Sequence, residues 1–258
     1  MMSFRPRKRF GQNFLTDNQV IQSLVQAIHP QTGDQLVEIG PGLGALTFAL
    51  LPHVPHLTVV ELDRDLAKAL CEKKEAKLTV HACDALQFDF ARIAPAQKIR
   101  VVGNLPYNVS TPLLFHLLSF AEHIQDMHFM LQKEVVDRLV AAPGSQDYGR
   151  LSVMIQYACQ AKSLLTISPT AFYPVPKVQS AFVRLTPYTT LPYPAQDLSF
   201  FSQVVKQAFS QRRKTLRNSL RGLCSLEDFK AADIDPTSRA EQLSVAAFVK
   251  LSETSKKR

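Results

Sequence analysis

The chain predicts an α/β fold: a mostly parallel sheet with helices on both faces, followed by a small all-α C-terminal domain. Three observations carry this reading. Four apolar runs before residue 105 each stop at a residue able to bind a ligand, as expected where parallel strands deliver chemistry to one edge of a sheet. The first run leads into the glycine-rich turn Gly40-Pro41-Gly42-Leu43-Gly44. Past a proline-rich stretch near residue 187, the apolar spacing takes on a helical period.

In chain order, Arg5-Pro6-Arg7-Lys8-Arg9 forms a basic arm, and Leu15 to Ile28 reads as a helix that Asn13 can cap. Leu36-Val37-Glu38-Ile39-Gly40 reads as a buried strand, the glycines beyond it let a backbone approach a ligand closely, and Ala45 to Leu51 opens a helix. Leu57 to Val60 ends in Glu61, 21 residues after Gly40, close to the spacing of about 20 at which an acid reaches ribose hydroxyls. Leu78 to Cys83 ends in Asp84, which can accept from an adenine amine, and Lys98 to Gly103 delivers Asn104. A last strand covers Ser180 to Leu185. Pro187, Pro192 and Pro194, with Thr189 and Thr190 between them, read as a linker, dividing the chain into residues 1–186 and 187–258.

Beyond the linker, Leu198, Phe201, Val204, Val205, Ala208 and Phe209 make one apolar helical face. Leu216, Leu220 and Leu223 make another, backed by Arg212, Arg213, Lys214, Arg217 and Arg221, so that a helix would bury leucines and present cations. A third helix is expected from Arg239 to about Leu251, with Ser238 and Glu241 spaced as a capping box, before a disordered Lys256-Lys257-Arg258 tail.

The chemistry concentrates in Asn104-Leu105-Pro106-Tyr107. An exocyclic amine of adenine or cytosine is a poor nucleophile because its lone pair is delocalised into the ring. The Asn104 side-chain carbonyl and the Leu105 backbone carbonyl can accept from both amine hydrogens and favour a pyramidal nitrogen. Pro106 has no N–H to compete and biases Leu105 toward extended backbone, and Tyr107 offers a flat face to the base. Taken alone the tetrapeptide is equally a strand running into a turn. Gly40, Gly42 and Ala45 also satisfy the looser pattern of nicotinamide and flavin enzymes, so the glycines choose no cofactor. An amine-holding tetrapeptide needs an electrophile, however, and the sulfonium methyl of S-adenosylmethionine is one.

With these residues in place, the sequence resembles the S-adenosylmethionine-dependent ribosomal RNA adenine dimethyltransferases, and among them the KsgA type acting on small-subunit (16S) RNA. The resemblance runs through Gly11 to Leu15, Glu38 to Gly44, Glu61, Asp84, Asn104 to Tyr107, Gln132 to Val135, Tyr148 to Ser152, Phe172 with Pro174 to Val178, and Gln211 to Asn218. It implies a Rossmann-like class I methyltransferase domain and cofactor contacts from Asn13, Leu15, Gly40, Gly42, Glu61, Asp84 and Asn104. Asn104, Leu105, Pro106 and Tyr107 would hold the target amine, and Phe172 would sandwich the base against Tyr107. Arg7, Lys8, Arg9, Lys177, Arg212, Arg213, Lys214 and Arg217 would face RNA. The product would be dimethyladenosine at two adjacent adenosines in a loop near the RNA 3′ end, made by a monomer on an immature 30S subunit. Competing readings are a large-subunit RNA or DNA adenine methyltransferase, and a mainly non-catalytic ribosome-assembly factor. On the residues alone, Asn13 can be a simple helix cap and Phe172 a core residue.

Composition agrees. A chain of 258 residues can bury a substantial core. Its 30 Lys and Arg against 22 Asp and Glu give a net charge of +8, suited to a polyanionic partner. No apolar run follows the basic start as in a secretory signal, and Pro112 to Ala121 is too short and too broken by His116 to span a membrane. Cys71, Cys83, Cys159 and Cys224 show no C-x-x-C spacing, and His53 and His56 flank Val54-Pro55, so no metal site is expected. Reduced cysteines and a cytoplasmic location follow.

Overall fold

A computed structural model describes residues 12–106, 109–211 and 213–255. The chain divides into two compact units, one made of residues 1–136 and 162–187, the other of 137–161 and 188–258.

The first unit is built on a seven-stranded sheet in the order β4-β3-β2-β5-β6-β9-β7. Its strands are β2 (Gln35–Ile39), β3 (Leu57–Glu61), β4 (Leu78–Ala82), β5 (Ile99–Asn104), β6 (Ile124–Gln132), β7 (Cys159–Ile167) and β9 (Ser180–Pro187). A separate ribbon pairs β1 (Phe14–Leu15) with β8 (Phe172–Tyr173). β2 to β6 run parallel and β9 is antiparallel to β6. The central strands β2, β3 and β5 are almost wholly buried, which explains their continuous apolar runs, while the edge strand β4 is half-exposed. The helices flanking the sheet are α1 (Asn18–Ile28), α2 (Ala45–Leu50), α3 (Arg64–Cys71) and α4 (Ser110–Leu118).

Strand alternation places Leu36, Glu38, Leu57, Val59, Glu61, Val102 and Asn104 on one face. The apolar members pack there with Ile21, Leu24, Val25 and Ile28 of α1 and Leu46 and Leu50 of α2. The strand order also reverses at β2: the chain moves outward to β3 and β4, then returns to place β5 on the other side. Ligands bind in the crevice that such a reversal opens at the carboxyl ends of the strands. Gly40 follows β2 and Asn104 ends β5, so both stand at that crevice.

Several expectations need correction. α1 begins at Asn18, not Leu15, and its cap is Asp17, whose Oδ1 accepts from the N–H groups of Gln19 and Val20 at 2.8 and 3.2 Å. Phe14 and Leu15 are drawn into β1 by pairing with a segment more than 150 residues away, which takes them from the helix. β6, absent from the sequence reading, is the sheet's fifth parallel strand.

The chain passes between the units at 136/137, 161/162 and 187/188, where the sequence suggested a single division at 186/187. Residues 137–161 belong with the C-terminal helices because their polar groups are satisfied there. They include the end of α5 (Lys133–Val140) and all of α6 (Arg150–Ala158). Gln156 Nε2 donates to the Leu139 and Ala141 carbonyls, Tyr157 Oη accepts from the Ala195 N–H at 3.1 Å, and Gly144 N–H donates to the Glu241 carbonyl at 2.7 Å.

This second unit adds α7 (Leu198–Ala208), α8 (Leu216–Ser219), α9 (Leu226–Ala232) and α10 (Val245–Ser255). Phe201, Val204, Val205 and Ala208 form the buried face of α7, but Leu198 points outward, 54% exposed. The expected basic helix is the four-residue α8: Leu216 and Leu220 are buried, Arg217 and Arg221 exposed, and Arg213 and Lys214 precede it in a turn. The expected Arg239–Leu251 helix is interrupted. A single turn, Ala240–Gln242, is held by Gln242 Oε1 accepting from Arg239 N–H at 2.7 Å, and α10 starts afresh at Val245; Ser238 and Glu241 form no capping box. The tail 256–258 lies outside the described residues.

Candidate functional site

A cavity of about 360 Å³ opens at the carboxyl ends of β2, β3 and β5. Asn13, Leu15, Gly40, Gly42, Glu61, Asp84, Asn104, Leu105 and Pro106, all expected from the sequence, line it together. Reading missed Gln12, Phe14, Glu38, Cys83, Met130 and Phe182. Of these, Glu38 left a signal: a lone acid inside an apolar run.

The glycine turn is shaped by close contacts. Gly42 has φ +58°, its N–H donates to Glu61 Oε2 at 3.1 Å, and a Cβ there would stand 3.1 Å from the Phe14 ring. At Gly103 a Cβ would lie 2.4 Å from the Ile39 carbonyl oxygen, so only glycine lets β5 pass β2 this closely and bring Asn104 to the turn.

Asn104 is oriented by its own amide. Nδ2 donates to the Asn13 carbonyl at 3.0 Å, leaving Oδ1 as the end free to accept from a ligand. Leu105 N–H donates to the Met130 carbonyl at 3.2 Å, and the Leu105 carbonyl takes no backbone hydrogen bond from a described residue. Two acceptors on consecutive residues at the end of β5 are thus left available.

The carboxylates are held differently. Glu61 accepts from the N–H groups of Gly42 and Asp63 at 3.1 and 2.9 Å; burial nevertheless raises its pKa, with those bonds opposing. Asp84 Oδ1 accepts from Leu86 N–H at 2.9 Å. Glu38 is 2% exposed, and burial pushes its carboxyl up to about 8, the Thr47 hydroxyl lowering it and the neighbouring Glu61 raising it further. Among the described lining residues there is no Lys, Arg or His, although the chain carries +8 overall.

Phe172 pairs with Leu15 in the β1–β8 ribbon. It is 2% exposed and packs in the core with Leu15 and Ala171, because that pairing turns both side chains inward. Its neighbour Tyr173 is 63% exposed. Lys177, Arg213, Lys214 and Arg217 are exposed. Tyr107, Arg7, Lys8, Arg9 and Arg212 lie outside the described residues.

Sheet order and glycine turn define an α/β protein with a cavity at the switch point of its sheet. The chain belongs to the ribosomal RNA adenine dimethylase family, whose profile matches residues 3–257. It is 57% identical over 250 residues to the Ribosomal RNA small subunit methyltransferase A of Pseudomonas aeruginosa, covering 96% of this chain and 93% of that protein. It is 58% identical over 244 residues to the protein of the same name from Thiobacillus denitrificans, covering 94% and 95%. The fold is similar to that of a dimethyladenosine transferase from Plasmodium falciparum, with a TM-score of 0.78 at 23% identity over 92% of this chain and 95% of that one. It is similar also to that of the 23S rRNA methyltransferase ErmE, with a TM-score of 0.75 at 23% identity over 95% and 100%. Among the described residues no helix is long and apolar enough to cross a membrane.

Proposed function

We propose that this chain methylates the exocyclic amines of two adjacent adenosines in a loop near the 3′ end of small-subunit (16S) ribosomal RNA, using S-adenosylmethionine and leaving dimethyladenosines. The observation that carries the reading is that Asn104 and Leu105 both line an acidic cavity, with the Asn104 amide nitrogen already engaged and its oxygen left to accept, in a chain of this family. Relatives covering nearly the whole chain bear the name Ribosomal RNA small subunit methyltransferase A.

The cavity residues fit the cofactor. Glu61 is placed for ribose hydroxyls and Asp84 for an adenine amine, and no described cation lines the cavity to repel a sulfonium. When bound, S-adenosylmethionine would supply an electrophilic methyl group on a cationic sulfur. Asn104 and Leu105 accept from the two amine hydrogens, localise the nitrogen lone pair and aim it. No strong general base is required, since a neutral amine attacks a cation and becomes acidic only as the bond forms. The adenosine is held out of its stack at a cost of a few kcal/mol, offset by stacking on Tyr107 and Phe172 at about 1–3 kcal/mol per base. Lys177, Arg213, Lys214 and Arg217 hold phosphates of an immature 30S subunit, met by a monomer in the cytoplasm.

Purified protein given immature small subunits, methyl-labelled donor and nuclease digestion should yield labelled dimethyladenosine. Label confined to large-subunit RNA or DNA, or binding without label, would overturn the assignment. Neutralising Arg213, Lys214 and Arg217 to Gln should flatten the salt dependence of RNA binding by roughly one unit of slope per cation removed, read by titration at several salt concentrations.

A further inference from the structure

Glu38 is the most deeply buried acid lining the described cavity. It is 2% exposed, lines the cavity, and has a single hydrogen-bond donor, the Thr47 hydroxyl at 2.6 Å from Oε2. The groups around it are acidic. Glu61 of β3 stands on the same face, Asp63 beyond β3 is 1% exposed, and Asp84 follows β4. Arg64 of α3 is exposed, and the imidazole on these strands, His81, packs at a tilt against Phe88 with centroids 5.0 Å apart; neither lines the cavity.

We propose that Glu38 senses the charge of the ligand: it keeps its proton in the ligand-free protein and releases it to solvent when a cationic methyl donor binds. Taking the cavity as the S-adenosylmethionine site, as above, the donor carries one net positive charge and the demethylated thioether product none. A positive charge coming near favours a buried acid as its carboxylate. The acid O–H breaks, its proton passes to water or buffer, and the new carboxylate faces the sulfonium. On methyl transfer the positive charge passes to the base amine, which sheds a proton to solvent, and Glu38 takes a proton from solvent again. No oxidation or further reactant is involved. The product then faces a neutral acid rather than the carboxylate that attracted the donor. Burial already holds the Glu38 carboxyl high, at about 8, which leaves it largely protonated at neutral pH.

Calorimetry of S-adenosylmethionine and S-adenosylhomocysteine binding at pH 7, in two buffers of different ionisation enthalpy, counts the protons released. The donor should release a large fraction of one proton and the product close to none. Donor affinity should rise by up to tenfold per pH unit and level off above about pH 8, while product affinity stays flatter. Glu38→Gln should abolish the difference in proton count. Thr47→Val, which removes the one donor to the carboxylate, should move the plateau to higher pH. Equal proton release by the two ligands in the unaltered protein, a difference that survives Glu38→Gln, or a plateau unmoved by Thr47→Val would each overturn the proposal. Failure of both ligands to bind would instead sink the cofactor reading on which it rests.

Discussion

Near the amino ends of β5 and β6, Arg100 is clasped on every side. Its Nε and Nη2 donate to the two oxygens of Asp126 at 2.9 and 3.0 Å, Nη1 donates to Asp34 at 2.6 Å, and Nη2 and Nη1 reach the Ile28 and His29 carbonyls. Near the carboxyl end of β2, Glu38 is buried at least as deeply yet has one hydroxyl and a like-charged neighbour. Burial acts against ionisation in both places. For Arg100 the bonds to Asp126 and Asp34 outweigh it and raise the pKa; for Glu38 burial wins. A buried charge with its partners supplied ties α1 to the sheet, whereas one left short of partners is poised to respond to what enters the cavity.

The comparison can be broken at its clasped end first. Arg100→Leu leaves Asp34 and Asp126 buried without their cation and should cost about 3–5 kcal/mol of stability, read from urea unfolding; a loss below 1 kcal/mol would show the clasp to be dispensable. At the site end, Asn104→Ala should lower single-turnover methyl transfer by about 10²–10³-fold while donor and RNA binding persist, because the acceptor is lost but the sheet remains. Turnover at the unaltered rate would contradict its role. Gly103→Ala sets a methyl against the Ile39 carbonyl and should cost about 1–3 kcal/mol, with activity falling as Asn104 is pushed from place.

A pH profile sharpens the contrast by its sign. Glu38 is held above its ordinary 4.5, so the folded chain keeps a proton that the unfolded chain has lost. Its contribution is complete below about pH 4.5 and fades as pH rises to about 8. Asp126 runs the other way. Burial opposes its ionisation, but His128 and Arg100 hold it below its ordinary 3.8, so its contribution is present above that value and lost as pH falls through the depressed one. Glu38→Gln should flatten the stability profile between pH 4.5 and 8 and leave the acid limb unchanged, as thermal melts across that range would show; an unchanged slope would mean Glu38 ionises freely.

Legibility of the sequence followed locality. β2, β3 and β5 were readable because strands buried on both faces are apolar throughout, and the residues after them had to be the site. β6 was hidden because Gln125, Asp126 and His128 interrupt its apolar run, and Asp126 is there for the clasp on Arg100. The first unit boundary falls inside α5, where no linker composition marks it. Asn13 and Phe172 were ambiguous for the same reason: their places depend on the β1–β8 ribbon, which joins segments remote in sequence.

That ribbon's neighbour settles which residue type β5 can end on. The Asn13 carbonyl oxygen lies 3.0 Å from the nitrogen of the Asn104 amide and accepts a hydrogen from it. An aspartate at 104 would set oxygen against oxygen, so this chain accepts an amide and refuses an acid there. The end of the Asn104 side chain that faces a ligand is thus set by a peptide group 91 residues upstream.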